Sequence, residues 1–534
     1  MNEFGSIFDS ILPADLGLPP KFDTFRTAQR QGLEWLHDHC EHQINAACLP
    51  TGAGKTALAI AYARLLGVRA VYVVATKALQ QQVLQDFELM GMVDIRGRAN
   101  YECPLHGDCD RGADAKCRLY NADECPYSRA VQRAKDADLV VTNYAYWLNV
   151  RRHNSCALEN EYGRPVELLI CDEAHALEGQ LGSFAEVKIW ASELGRHSFT
   201  RDGRMGQAPD LHELEADTWR AWANNKIEEI GVLGAAADDD DKDLADRCTK
   251  ILRMNSNWVW QFDSHGHVTF QPIRLNGFMS GLTSGVPRVL LMSASLNEFT
   301  LKLLLPRDTP FDYRAWGQVF PPQNAPVYHI PCRKLTWRSS DEDYKAVIEQ
   351  ADQIIDQRCD RKGIIHTVSY ARSKRALQYS RHGNRFIWNE NGADLTSCLD
   401  RFRAMDAGAI LVTPSVSAGF DFPGQACEYQ IVLKFPFPNE TERVVKERCS
   451  QIPGYRLWSA AQSIAQMCGR ARRYEQDRSE TFILDNSVRQ LCGPEGKQFC
   501  PPGFRIFTVA KVPPAPPRIN SSMIVVNNSS KQLT

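Results

Sequence analysis

Ile44-Asn45-Ala46-Ala47-Cys48-Leu49-Pro50-Thr51-Gly52-Ala53-Gly54-Lys55-Thr56 passes from an apolar run into a glycine turn that ends on a lysine and a hydroxyl. Residues 44–49 read as a short buried strand. Lys55 to Leu66, rich in Ala and Leu and stopped at Gly67, reads as a helix. A strand feeding a helix through small residues is the setting a P-loop needs. Such residues let backbone N–H groups turn toward phosphate oxygens, and the helix N-terminus adds partial positive charge. Thr51, Gly52, Ala53, Gly54, Lys55 and Thr56 are therefore nucleotide-binding candidates. Lys55 is expected on the β/γ-phosphates and Thr56 on Mg2+. The strict G-x-x-x-x-G-K-S/T pattern fails at its first position, where Leu49 stands.

Working outward, the same alternation continues. Residues 70–75 read as a strand, 77–89 as a helix, and 166–171 and 289–292 as further strands. Alternating strands and helices imply an α/β fold, a parallel sheet covered on both faces. The alternation resumes after Arg361, with strands at 363–366, 409–412 and 429–433, and a second α/β domain is read there. Two stretches break the pattern. Residues 96–130 hold four cysteines. Residues 176–285 read as largely helical, with the acidic run Asp238-Asp239-Asp240-Asp241 as a solvated loop between helices. The Pro-, Asn- and Ser-rich end, 512–534, reads as a flexible tail.

Asp172-Glu173-Ala174-His175 closes the strand at 166–171. A carboxylate there projects past the C-terminal edge of the sheet, where open α/β sheets bind ligands. Asp172 is expected to hold Mg2+, mainly through water, and Glu173 to orient and deprotonate the attacking water. Gln466-Met467-Cys468-Gly469-Arg470-Ala471-Arg472-Arg473 places three arginines on about one helical turn, which packs poorly unless they meet anions. Gln466, Arg470 and Arg473 join the catalytic candidates, with Arg470 and Arg473 as fingers for the γ-phosphate.

Composition sets bounds. With 534 residues, 43% of them apolar, the chain can form several cores. The first residues lack a basic segment followed by an apolar one, and no apolar run nears the roughly 20 residues that span a bilayer. A soluble, cytoplasmic protein without membrane partners is expected. Seventeen cysteines without scaffold spacing fit a reducing compartment. Net charge is −2, but residues 332–534 carry 29 Lys and Arg against 21 Asp and Glu. That basic balance suits contacts with a phosphate backbone.

Cys103, Cys109, Cys117 and Cys125 fall within 23 residues. Thiolates suit iron–sulfur clusters and zinc alike. Structural zinc sites usually contain close C-x2–4-C pairs, and none is present here. Iron–sulfur is the preferred reading, with zinc and unligated cysteines as alternatives. His106 is a stray candidate beside a complete four-thiolate set.

The motifs together resemble superfamily 2 helicases. Phe25-Arg26-Thr27-Ala28-Gln29 is similar to the adenine-reading Q motif, which adds Arg26 and Gln29 to the nucleotide site. Thr76 to Gln82 resembles motif Ia, and Ser293-Ala294-Ser295 resembles motif III. Residues 417–424 resemble motif V and add Gly419 and Asp421, although Ala418 stands where relatives often carry Glu. The flanks of the cysteines, residues 97–103 and 125–127, resemble those of XPD/DinG-type iron–sulfur helicases, and residues 140–144 continue the likeness. The resemblance implies two RecA-like domains, a [4Fe–4S] cluster on the four cysteines, ATP and Mg2+. It further implies 5′→3′ movement on single-stranded DNA, fork or overhang substrates, and work in DNA repair, replication or recombination.

On that pattern the first RecA-like domain comprises 1–95, 131–175 and 286–315. It is interrupted by an iron–sulfur insert at 96–130 and a helical arch at 176–285. The second domain is 316–511. One chain holding both halves of a nucleotide cleft suggests a monomer, and the compact size suggests a bacterial or phage source. Trp219, Trp222, Trp258 and Trp260 read chiefly as arch core, whereas Arg98 and Tyr101 are candidates for a strand-threading pore. The competing readings are an RNA helicase, an ATP-coupled nuclease for which the N-terminal stretch leaves no room, and a non-enzymatic iron–sulfur redox sensor.

Overall fold

Strand β1 (Ile44–Cys48) turns Ile44, Ala46 and Cys48 into one apolar cluster and Ala47 into another, so both faces of the sheet are dry. β2 (Ala70–Val74) alternates the same way, with Val71 and Val73 on one side and Ala70, Tyr72 and Val74 on the other. This period of two inside an unbroken apolar run is what a parallel strand covered by helices requires.

The computed structural model describes residues 8, 10–38, 41–114, 117–119, 124–151, 158, 164–195, 215–317, 321–336, 338–388, 395–405, 407–414, 422, 424–471 and 477–517. The chain divides into two units. The first is Met1–Val319, Phe437–Gln466 and Pro494–Phe504, and the second is Phe320–Pro436, Met467–Gly493 and Arg505–Thr534.

The first unit carries β1, β2, β3 (Val93–Asp94), β4 (Leu139–Asn143), β5 (Leu168–Cys171), β6 (Arg288–Ser293) and β7 (Phe311–Ala315) in one sheet, ordered β7-β1-β6-β5-β2-β4-β3. Every pairing is parallel. Helix α1 (Thr27–Asp38) precedes β1, α2 (Lys55–Leu66) connects β1 to β2, and α3 (Lys77–Phe87) connects β2 to β3. The second unit repeats the design with β8 (Val327–His329), β9 (Gly363–His366), β10 (Phe386–Trp388), β11 (Ile410–Thr413), β12 (Tyr429–Val432), β13 (Glu480–Ile483) and β14 (Ile506–Thr508), ordered β10-β11-β9-β12-β13-β8-β14, again all parallel. A Cβ on Gly363 would lie 2.2 Å from the Tyr429 ring, so β9 and β12 meet where only glycine fits.

Two features depart from the sequence reading and a third adds to it. The 176–285 region is largely helical among its described residues, as expected, and it also carries a small sheet. Its hairpin of α4 (Ala216–Leu233) and α5 (Asp239–Leu252) packs on an antiparallel sheet of 187–189, 268–272 and 258–262. Trp219 and Trp222, both nearly sealed from solvent, fill the space between them with Phe270 and Ile189. The acidic run is not a loop. Asp238 caps α5, with its side chain accepting from the Asp241 N–H, and Asp239 to Asp241 form the first turn. Carboxylates there meet unpaired amides and the positive end of the helix dipole.

The second departure concerns residues 437–466 and 494–504, which the sequence assigns to the second domain and which pack in the first unit. Arg448, on α6 (Arg443–Gln451), donates to the carbonyls of Ile273 and Pro272 at 2.9 Å each and pairs with Glu178. On α7 (Tyr455–Gly469), Trp458 Nε1 donates to Thr300 Oγ1 at 2.9 Å. Within the expected tail, Arg358 donates to the Pro513 carbonyl at 3.1 Å and Arg361 to that of Pro516. Residues 518–534 lie outside the described residues.

Candidate nucleotide site and metal centre

The turn between β1 and α2 forms because Gly52 and Gly54 both take φ of 80°, a left-handed conformation that side chains disfavour. Gly54 has a second reason to be glycine. A Cβ there would sit 2.2 Å from Gln29 Nε2, which donates to the Gly54 carbonyl at 3.0 Å. Gln29 Oε1 accepts the Arg26 N–H at 2.8 Å, and the Arg26 guanidinium donates to the Gly52 carbonyl. The Q-motif pair Arg26 and Gln29 thus holds the loop through two of its carbonyls. Ala53 is buried, and its N–H donates to the Pro50 carbonyl at 3.1 Å to close the turn. Thr51 is half-buried on the same loop.

Asp172 stands just past β5, buried, next to Lys55 and Thr56. Burial first, then the neighbouring Glu173 charge, raise its carboxyl to about 6, against the pull of the Lys55 ammonium. Its Oδ1 accepts the Glu173 N–H at 2.9 Å, and its Oδ2 lies 2.9 Å from Tyr72 Oη. That phenol is also 3.3 Å from Thr56 Oγ1. Glu173 takes a φ of 50°, a conformation uncommon outside glycine that sets its side chain beyond the strand end. The hydroxyl of the P-loop and the carboxylate of the acidic motif therefore share one partner, a donor set suited to a hard divalent cation.

A polar chain leads away from the acidic motif. His175 Nδ1 is 3.1 Å from Glu173 Oε2 and 2.9 Å from Ser293 Oγ. Ser293 Oγ accepts the Ser295 N–H at 3.2 Å, and Gln466 Nε2 donates to Ser295 Oγ at 3.1 Å. Gln466 is thereby joined to the motif III serines and, through them, to the acidic motif. In the second unit the Arg470 carbonyl accepts the Phe422 N–H at 2.9 Å, which ties the arginine motif to the end of motif V. Arg473, Gly419 and Asp421 lie outside the described residues.

The four clustered cysteines line one small pocket with Pro104, Leu119 and Pro126. Cys103 and Cys117 have sulfurs 3.9 Å apart. Burial, with Cys125 and Cys103 close by, pushes the Cys109 thiol up to about 11. The Cys125 thiol is opposed by burial yet pulled below its ordinary value by hydrogen bonds from Ser128 and Tyr127. No group of three His, Cys, Asp or Glu poised around a metal ion is found among the described residues. Four thiols converging on a shared apolar pocket nevertheless match the donor set of a thiolate-held cluster, in which positive iron offsets their mutual repulsion. His106 is half-exposed and not among the pocket's lining residues. Tyr101 and Arg98 are both half-buried. Tyr101 Oη accepts the Arg96 N–H at 3.1 Å, and both residues rest on the Tyr127 ring.

The residue that sequence reasoning missed is Tyr72. It lies inside an apolar strand, and nothing in the local pattern marks its hydroxyl as functional.

Comparison with known proteins bears on the family and the fold. The DEAD/DEAH box helicase family model matches residues 26–198, and that of the helicase C-terminal domain matches 356–495. The solved structure "XPD_Helicase" superposes with a TM-score of 0.61 at 15% identity, covering 91% of this chain and 99% of that one. "Structure of S. tokodaii Xpd4" gives 0.59 at 16% identity, covering 91% and 100%. No helix of the described residues is long and apolar enough to cross a membrane. The domains imply nucleic-acid helicase activity driven by ATP hydrolysis with Mg2+. The chain therefore carries a DEAD/DEAH box helicase domain and a helicase C-terminal domain, on a fold similar to that of the XPD structures.

Proposed function

We propose that this chain is an ATP-driven DNA helicase that moves 5′→3′ on single-stranded DNA at forks or overhangs, in repair, replication or recombination, as a cytoplasmic monomer. The observation that carries the DNA assignment is the convergence of Cys103, Cys109, Cys117 and Cys125 on one pocket beside a DEAD/DEAH motor. Those cysteines would hold a [4Fe–4S] cluster, which would cross-link an insert with little core of its own. Thr51 to Thr56 cradle the phosphates of ATP, with Lys55 on the β/γ-phosphates. Thr56 and Asp172 would hold Mg2+, which supplies positive charge against those phosphates. Glu173 orients the attacking water and takes its proton. Gln466 acts through the motif III serines, and Arg470 and Arg473 contact the γ-phosphate. Arg26 and Gln29 serve the base side, and Gly419 and Asp421 serve the nucleotide from motif V.

The test is ATPase rate without nucleic acid, with single-stranded DNA and with RNA, on wild type and Lys55→Ala. Iron and sulfide are measured on anaerobically purified protein. Stimulation by DNA with about four irons per chain is expected for a [4Fe–4S] site. Stimulation by RNA alone would replace the DNA reading with an RNA helicase. Equal rates in both proteins would leave only a non-motor role.

A further inference from the structure

Tyr72 sits on β2 with its ring in the apolar layer against α2, and 1% of its surface is exposed. Its phenol oxygen is 2.9 Å from Asp172 Oδ2 and 3.3 Å from Thr56 Oγ1. A phenol has one proton, so it donates only once. The carboxylate at the shorter distance is the stronger acceptor, because a hydrogen bond to an ionised group is charge-assisted. The proton on the Tyr72–Thr56 contact then belongs to Thr56. The chain of donation runs from the Thr56 hydroxyl to Tyr72 Oη and from Tyr72 to Asp172.

We propose that Tyr72 is a positioning residue for Mg2+ at the nucleotide site, acting through both Thr56 and Asp172. The inference rests on the assignment of those two residues to the ion. By accepting the Thr56 proton, Tyr72 turns that hydroxyl so that its lone pairs face away from the strand. By donating to Oδ2, while the Glu173 N–H holds Oδ1, Tyr72 fixes the plane of the Asp172 carboxylate. One side chain thus sets two donors that lie 116 positions apart in the sequence. Partners that orient metal ligands typically change metal affinity by about 10–100-fold when removed.

Tyr72→Phe keeps the ring and its packing and deletes only the oxygen. The experiment titrates Mg2+ into the protein with a fluorescent ADP analogue, and separately measures binding of that analogue in EDTA. The Mg2+ concentration for half-maximal enhancement should rise about 10-fold, with nucleotide affinity in EDTA within about twofold of wild type. ATPase should show the same shift in Mg2+ requirement, and most of kcat should return at saturating Mg2+. Because the two hydroxyls act in series, Thr56→Ala combined with Tyr72→Phe should be less than additive. An unchanged Mg2+ requirement, an equal loss of affinity in EDTA, or additivity overturns the proposal. Thr56→Ala and Asp172→Asn are the reference variants. If neither reduces the Mg2+ enhancement, the ion assignment itself falls. If both do and Tyr72→Phe does not, only the role of Tyr72 falls.

Discussion

The P-loop and the cysteine insert belong to one unit but are ordered by different means. The P-loop springs from β1, whose five residues are all buried, and is held by hydrogen bonds from Arg26 and Gln29 before any nucleotide is considered. Among the described residues, the regular structure of the insert around its first cysteines is the 3-10 turn Arg98–Asn100, a pair of two-residue strands and the short helix Cys109–Asp114. Its shared centre is a pocket lined by thiols. The first region is shaped by the fold and then receives its ligand. The second joins the main core through Cys109, Cys125, Tyr127 and Ala130, and under the proposed function a bound cluster would complete its centre.

Four variants break or sharpen that contrast. Lys55→Ala should lower nucleic-acid-stimulated ATPase by about 10²–10³-fold, the scale for losing one preorganised charge-stabilising donor. The iron absorbance should stay intact. Loss of that absorbance in the lysine variant would show that the two regions are not independent. Cys103→Ser should remove hydrogen-exchange protection around residues 98–114 while β1 and β2 keep theirs, and unwinding should fall more than nucleic-acid-free ATPase. Equal loss of protection in the sheet would erase the distinction.

The third variant probes the frame of the second unit. His366 is fully buried, with Nε2 2.9 Å from Gln430 Oε1. Burial above all, with Arg470 nearby and the Gln430 contact opposing, lowers its imidazole to about 4. The folded value lies below the unfolded one, so stability is constant above about pH 6.5. It declines as pH falls from there toward about 4, because the unfolded chain takes a proton that the fold refuses. The loss across that window is roughly 2–4 kcal/mol. Denaturant titrations at pH 7 and pH 5 should show this decline in wild type and a shallower one in His366→Gln. Matching declines would place the linkage elsewhere. The smallest effect is expected from Gly54→Ala. The left-handed φ costs roughly 1–2 kcal/mol, and Gln29 must also give way. Weaker nucleotide binding with the iron content unchanged is the expected result.

Much of this was legible in sequence where the signal is local. The P-loop and the acidic motif are each a few consecutive residues between a strand and a helix, so their chemistry and their position on the sheet edge come together. The helices of 176–285 are legible, but its small sheet is not, because 187–189 pairs with 268–270 across about 80 residues and each strand is too short to declare its period. The acidic run was misjudged because like charges suggest a solvated loop, whereas Asp238 is a cap and the next three residues complement a dipole. Tyr72 was invisible for the opposite reason. Its strand is so plainly apolar that a single hydroxyl carries no local signal, and its partners are Thr56 and Asp172.

The return of residues 437–466 and 494–504 to the first unit bears on how the protein is made. Phe499 packs on Phe299, and its carbonyl accepts from Asn297 at 3.0 Å. A ribosome must therefore translate past residue 499 before the first unit can close its last seam. Synthesis order and completion order diverge, and a prematurely terminated chain leaves the earlier lobe, not only the later one, unfinished.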